Sequence, residues 1–260
     1  MDSIEMNPDN VLKTLMCTAD STDERRRRKK LLIATLRVIA KHGHGDGVAG
    51  HVSVRDAVLT DCMWMNPFGA SFYSIDEDDL ILLASDGRVL EGNGECQAST
   101  AALHSEIQRS RPDVTAIAHA HTVFATALSA TRTLLKPISI DACVFRNEQM
   151  LFDEFRHGED ARSAAIRFAS ELGHRSVGVW RAHGIWSVGI TLEAALWKLL
   201  AYERACQIQV YSSLIGPTED IPAELAGIPE DIEMLAHLSG KSLYDSIRER
   251  AQDAQNLIYR

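Results

Sequence analysis

No pair of cysteines in this chain has the Cys-x-x-Cys spacing, and the five present (Cys17, Cys62, Cys96, Cys143 and Cys206) are odd in number and scattered. That argues against a disulfide framework and against a thiolate zinc site, and a reducing, cytoplasmic location is the expectation. Positive charge is also short: 27 Lys and Arg face 36 Asp and Glu, for a formal charge of −9. A surface that neutralises many phosphates needs the reverse balance, so nucleic acid is not an expected partner. No apolar run reaches the roughly 20 residues that span a bilayer. The start, Met1-Asp2-Ser3-Ile4-Glu5, has no basic-then-apolar order of a secretory signal, so no membrane partner is expected. The glycine-rich stretch Gly43 to Gly50 lacks the Gly-Lys-Ser/Thr ending of a P-loop. Internal repeats are absent as well, which leaves solenoids aside.

What is present suits one large α/β domain: 45% of the residues are hydrophobic, enough for a sizeable core, and strand-like and helix-like stretches alternate along a single unit. Residues 1–21 are polar and read as a mobile arm, residues 22–216 as the domain, and residues 217–260 as a helical tail, docked or serving as an oligomer arm. Ser21-Thr22-Asp23-Glu24 supplies an N-cap for a first helix whose basic run, Arg25 to Lys30, reads as a solvated face. Alternation gives a strand at His51 to Arg55 and a paired one at Met63-Trp64-Met65. Ser74 to Leu80 reads as a capped helical turn, Leu80 to Leu83 as a strand, Ala98 to Ser110 as a helix and Thr122 to Ser129 as another. Lys136 to Cys143 reads as extended, Glu159 to Leu172 as amphipathic, and Thr191 as the cap of a long helix ended by Gly216-Pro217.

The chemistry gathers around Ala116-Ile117-Ala118-His119-Ala120-His121-Thr122. On a strand, residues i and i+2 point to the same face, so both imidazoles project together from a rigid element. A third histidine, His183, follows the short apolar run Val177-Gly178-Val179-Trp180. Three nitrogen ligands with a position left open are the arrangement of a catalytic metal site, whereas structural sites close with four. Thr100 and His104 stand one turn apart on the helix from Ala98, where they share a face. They could look into one pocket, but a histidine so placed reads first as a core residue bonded to backbone.

Gly50-His51-Val52-Ser53-Val54-Arg55, Asn66-Pro67-Phe68-Gly69, His104 followed by Ser110-Arg111-Pro112-Asp113 and His119-Ala120-His121, then Ala182-His183-Gly184 and Glu193-Ala194-Ala195-Leu196-Trp197 resemble, in order, the motifs of the class II aldolase/adducin family. The resemblance covers about residues 30–216. It implies a three-layer α/β/α sandwich, one divalent metal (zinc first, then manganese or Fe(II)) on His119, His121 and His183, and a homo-oligomer, often a tetramer, with sites at subunit contacts.

The departures from the family pattern are specific. Ala98-Ser99-Thr100 stands where the sugar-phosphate aldolases have two serines and an acid/base glutamate. Val48 and His51 stand where a threonine and an asparagine of the family hold substrate phosphate, Phe68-Gly69 replaces a threonine-glycine turn, and Asp141 takes the place of a proton-donating tyrosine. The resemblance therefore implies a metal platform turned to another small-molecule substrate. Its expected substrate-binding residues are Gly50, Phe68, Gly69, Ser99 and Thr100, and His51, His104 and Asp141 are expected to do acid/base work. A metal-dependent carbon–carbon lyase ranks first, retro-aldol or decarboxylating, with a non-haem Fe(II) oxygenase second. A non-catalytic adducin-like interaction module ranks third, because it has no need of the three histidines.

Overall fold

Residues 20–153, 159–229 and 231–244 are described in a computed structural model of the chain. Eight strands form one sheet: β1 His51–Arg55, β2 Cys62–Met65, β3 Ile81–Ala84, β4 Val89–Glu91, β5 Ala116–Ala120, β6 Gln149–Phe152, β7 Val177–Trp180 and β8 Gly184–Gly189. Their order is β4-β3-β2-β1-β5-β8-β7-β6. Neighbours run antiparallel except β6 and β7, which are parallel. The helices are α1 Ser21–Lys41, α2 Ala98–Ser110, α3 Val123–Ala130, α4 Ile140–Cys143, α5 Ala161–Leu172 and α6 Leu192–Ile215.

Strand periodicity sorts the core into two layers. Val52 and Val54 of β1 and Ala116, Ala118 and Ala120 of β5 face Leu32 and Leu36 of α1 and Leu196 and Leu199 of α6. On the other face Ile117 of β5 and Trp186 and Val188 of β8 meet Ile107 of α2 and Phe168 and Leu172 of α5. The result is the expected α/β/α sandwich. Register then fixes the site, because His51 of β1 lies opposite His119 of β5, which lies opposite Trp186 of β8. That row shares the α2/α5 face with Ile117.

Several local expectations change. Asp20, not Ser21 or Thr22, caps α1, its carboxylate accepting from the Thr22 N–H at 3.2 Å. The basic run of α1 is not a solvated face throughout. Arg25 pairs with the buried Asp56 at 2.5 Å, Arg28 donates to the Arg55 carbonyl at 2.7 Å, and the Lys29 ammonium lies 4.3 Å from the centre of the Trp64 ring. Arg26 and Lys30 do remain exposed. The basic side chains clamp α1 across the end of β1 and β2. The stretch read as extended, Lys136 to Cys143, ends in the short α4, capped by the Ser139 hydroxyl accepting from the Ala142 N–H at 3.2 Å. Ser74 to Leu80 holds only one 3-10 turn, Glu77–Asp79, where the Asp79 carboxylate accepts from the Asp76 N–H at 2.8 Å.

The expected arm at residues 1–21 lies almost wholly outside the described residues. Residues 232–244 are helical and lie on the chain's own body. The fully buried Lys198 of α6 donates to the Val188 carbonyl at 3.0 Å and to the Glu233 carboxylate. Thr35 and Tyr244 share a hydrogen bond of 2.6 Å, and Thr191 and His237 one of 3.1 Å. Gly240 allows this contact, since a Cβ there would come within 2.0 Å of the Glu193 carbonyl oxygen.

Candidate metal centre

His119 leaves the end of β5 on the α2/α5 face, His121 follows at the exposed strand end, and His183 stands in the turn between β7 and β8. One ring nitrogen from each lies within 4.8 Å of the others. The ring centres are 5.0 Å apart for His119 and His121, 4.5 Å for His121 and His183, and 5.3 Å for His119 and His183. His119 is the most constrained. Its Nδ1 lies 2.8 Å from the Ile185 carbonyl oxygen, to which it must donate, so Nε2 is the nitrogen left for a ligand. Its ring also stacks on Trp186, with centres 3.6 Å apart and planes 15° from parallel.

His183 is held by an unusual turn. Ala182 has φ +55°, a left-handed conformation that costs a non-glycine residue about 1–2 kcal/mol. Its N–H donates to the Ser129 hydroxyl at 3.0 Å, and the Thr126 hydroxyl reaches the His183 carbonyl at 3.4 Å. Gly184 follows because a Cβ there would lie 2.6 Å from the Ala120 carbonyl oxygen and 3.0 Å from His119 Cε1.

The donor set fits a divalent cation. Burial, then the proximity of His51 and His183, pushes the His119 imidazole well below its ordinary pKa. His121 is lowered by burial, and His183 is lowered to about 4 by burial and by His121. All three are thus neutral at physiological pH, the form that ligates metal.

Behind this cluster runs a second imidazole chain. His51 Nδ1 lies 2.6 Å from His104 Nε2, and His104 Nδ1 lies 2.6 Å from the Ser53 hydroxyl. His104 and Ser53 have no exposure to solvent. Burial, then the neighbouring His119, lowers the His104 pKa to about 3, and burial with His104 close by lowers His51 well below its ordinary value. The chain leaves Nε2 of His51 uncommitted, and the His51 ring packs 4.5 Å from that of His119.

A cavity of about 330 Å³ opens over these groups. His51, His119, His121 and His183 line it together with Gly50, Phe68, Ser99 and Thr100 from the sequence reading. Val48, Leu103, Ala164 and Trp180 make most of the remaining wall apolar. At one side α2 begins, its N-cap residue Gln97 making no side-chain capping bond, so first-turn N–H groups remain there for an anionic group.

Three expected residues stand elsewhere. His104 lies behind His51, reaching the cavity through it, and Gly69 (φ +82°) forms the turn after Phe68. Asp141 is exposed on α4 and lines a separate cavity of about 850 Å³ with His44 and Trp197. Within one chain it is not brought to the histidines, because α4 packs on the α1/α6 face of the sheet. Ser53, Trp180 and Trp186 were not singled out from sequence. Ser53 had a signal, since it stands two residues from His51 on the same face of β1.

Residues 30–210 match the family model described as Class II Aldolase and Adducin N-terminal domain. The chain belongs to the class II aldolase/adducin family. It is 35% identical over 208 residues to the decarboxylase NovR of Streptomyces niveus, covering 79% of this chain and 76% of that one. It is 34% identical over 206 residues to the 4-hydroxy-3-prenylphenylpyruvate oxygenase/4-hydroxy-3-prenylbenzoate synthase of Streptomyces roseochromogenus subsp. oscitans, covering 78% and 74%. Among solved structures, L-fuculose 1-phosphate aldolase from Glaciozyma antarctica PI12 superposes with a TM-score of 0.81 at 27% identity, covering 91% of this chain and 94% of that chain. Enzymes of the family therefore stand among its relatives, and its three histidines suit the family's divalent metal. Among the described residues no helix is long and apolar enough to cross a membrane.

Proposed function

We propose that this chain is a metal-dependent carbon–carbon lyase, of aldolase or decarboxylase type, for a non-phosphorylated hydroxy or oxo acid that carries an apolar, aromatic group. The observation that carries this reading is the placement of three neutral imidazoles at the floor of a cavity walled by Phe68, Leu103, Ala164 and Trp180. A divalent ion on His119, His121 and His183, zinc first and manganese or Fe(II) next, would supply Lewis-acid stabilisation of the negative charge that develops as a carbon–carbon bond breaks.

The chain's own residues account for the remaining needs. The start of α2, with the Ser99 and Thr100 hydroxyls, offers donors to a carboxylate. The apolar wall takes up the organic remainder and excludes water from it. His51 faces the cavity with Nε2 free, while His104 and Ser53 hold its other nitrogen, so His51 moves the proton that the reaction requires. Phosphate is disfavoured: the Val48 and Phe68 side chains offer it no donor, and among the described residues the lining includes no Lys or Arg.

We further infer a homo-oligomer, a tetramer by family resemblance, since Leu214 and Ile215 at the end of α6 are 80% and 89% exposed. In such an assembly Asp141 would serve a neighbouring copy's site. Cys62, Cys96, Cys143 and Cys206 are unpaired thiols, which supports a cytoplasmic location.

An oxygenase is the second reading. It is favoured by the 34% identical relative whose name is that of an oxygenase, and it would require iron. Metal analysis of the purified protein, followed by incubation with aryl-substituted 4-hydroxy-2-oxo and 3-oxo acids, whose cleavage leaves an enolate, and with simple aryl 2-oxo acids, each with and without oxygen, separates the readings. Carbon dioxide or aldehyde release without oxygen uptake is expected. Stoichiometric oxygen consumption on iron would replace the lyase with the oxygenase, and absence of both metal and turnover would reject an enzyme.

A further inference from the structure

We propose that Glu203 is a positioning residue for the metal: its carboxylate, acting through helix α3, sets the separation of His121 from His183. The inference rests on the reading of His119, His121 and His183 as the metal ligands.

Helix α3 begins immediately after His121 and Thr122. Thr122 occupies the N-cap position with an extended backbone, yet its hydroxyl makes no capping bond and is buried without a hydrogen-bond partner. The first-turn donors go instead to a residue far along the chain. The Phe124 N–H donates to one carboxylate oxygen of Glu203 at 2.8 Å, and the Ala125 N–H donates to the other at 2.9 Å. Glu203 lies on α6, is 5% exposed and, among the described residues, forms no ion pair. Taking a carboxylate out of water is unfavourable unless its charge is met, and here the N-terminus of α3 meets it. A local cap by Thr122 would satisfy a donor without fixing α3 to anything. The remote carboxylate ties α3 to α6, which packs on the sheet through Leu196 and Leu199.

The same short helix also holds the third ligand. Ser129 accepts from the N–H of Ala182, the residue with φ +55° just before His183, and Thr126 reaches the His183 carbonyl. Helix α3 thus spans from the strand end that carries His121 to the strained turn that carries His183. Any shift of α3 alters the distance between two ligands whose donor atoms must meet one ion within about 0.2 Å of ideal bond lengths. Outer groups that orient metal ligands typically change metal affinity about 10–100-fold when removed.

The test is a Co²⁺ titration of the metal-stripped full chain. It follows affinity and the visible absorption bands of the ion, alongside the thermal midpoint of the metal-free protein. Wild type is compared with Glu203→Ala, Glu203→Gln and Leu36→Ala, the last a core truncation on α1 remote from the ligands. The expected result is an affinity loss of about 10–100-fold and altered bands in Glu203→Ala. Glu203→Gln, which keeps one acceptor, should be partly rescued, and Leu36→Ala should keep wild-type affinity and bands despite its lowered midpoint. Wild-type affinity and bands in both Glu203 variants overturn the proposal, and so does an equal affinity loss in Leu36→Ala. If Glu203→Ala does not fold, Glu203→Gln decides alone by the same criterion. His121→Ala in the same titration separates the two levels. If it binds Co²⁺ as wild type does, the ligand assignment fails. If it loses the ion while both Glu203 variants keep it, the positioning role alone fails.

Discussion

His104 hands one nitrogen to Ser53 and the other to His51, each at 2.6 Å and all within the face of the sheet that carries the candidate metal ligands. A neutral imidazole has one N–H, so the proton on His104 fixes which nitrogen of His51 is protonated. Replacing His104 with Phe removes that control while leaving His119, His121 and His183 in place. Metal content should be unchanged and turnover should fall about 100–10,000-fold. The variant also leaves Ser53 and His51 Nδ1 unpaired, at about 1–3 kcal/mol each, so the thermal midpoint must be read alongside. Wild-type turnover in the folded variant would refute the acid/base assignment.

The candidate ligands differ in what else they do. His121 is exposed at the end of β5, whereas His119 is buried, stacked on Trp186 and bonded to Ile185. His121→Ala should therefore lose stoichiometric metal with little change in metal-free stability. His119→Ala should lose metal and about 2–4 kcal/mol of stability as well, the ring leaving a void in the core. Metal analysis and denaturant titration of the two variants check this. Equal stability of the pair would show that the strand end does not depend on that ring.

Acid should weaken the metal-free protein. The folded-state pKa of His104 is about 3 and that of His183 about 4, both below the unfolded value near 6.5. Between those limits the unfolded chain binds more protons than the folded one, so stability falls as pH drops from about 6.5 towards 4. Each group contributes a slope of at most about 1.4 kcal/mol per pH unit. Denaturation midpoints between pH 7 and 4.5 should decline less steeply in His104→Phe than in wild type. Parallel curves would show that His104 is not protonated on unfolding in this window.

The histidine pair was legible because strand period depends on the local backbone alone, and His51 and His104 followed from motif order. Asp141 was placed by motif position, which carries no information about the sheet face on which α4 packs. Strand β6 carries little local signal because it is a short edge strand beside the polar run Arg146-Asn147-Glu148. The basic run of α1 departs from a solvated face at Arg25 and Lys29, whose partners Asp56 and Trp64 lie on other elements and are brought under them only by the folded register. Glu203 matters through two long-range hydrogen bonds, accepted from the Phe124 and Ala125 N–H groups, which no local pattern announces, whereas strand period places Ser53 on the His51 face of β1 but does not show its bond to His104.

The Arg25–Asp56 pair that clamps α1 can be tested directly. Burial raises the Asp56 carboxyl, but hydrogen bonds from Arg25 and from the Val58 N–H outweigh it, and the net pKa is lowered. Its side chain has no exposure, so Arg25→Met strands a buried charge. The expected loss is about 3–5 kcal/mol, and Arg26→Met, on the exposed face, should cost less than about 0.5 kcal/mol. Equal, small effects in urea titrations would restore the solvated-face reading.

The choice of substrate gives the last prediction. L-fuculose 1-phosphate aldolase shares this fold, and a cavity built for a sugar phosphate needs several donors around the phosphate. Here Val48 and Phe68 line the cavity together with Trp180, Leu103 and the alanines of α5. Burying an aryl group against such a wall contributes about 2–3 kcal/mol, which is roughly 30- to 150-fold in binding. Aryl-substituted 4-hydroxy-2-oxo or 3-oxo acids should therefore be turned over in preference to sugar phosphates. Ala164→Leu, which fills the cavity from α5, should raise KM for the aryl acid at least tenfold while metal content stays at wild type. Phe68→Thr should weaken aryl-acid binding without creating efficient phosphate cleavage, since no cation is added. Efficient cleavage of fuculose 1-phosphate by the unaltered protein would mean that the donors at the start of α2 suffice for phosphate and that the apolar wall does not set the choice.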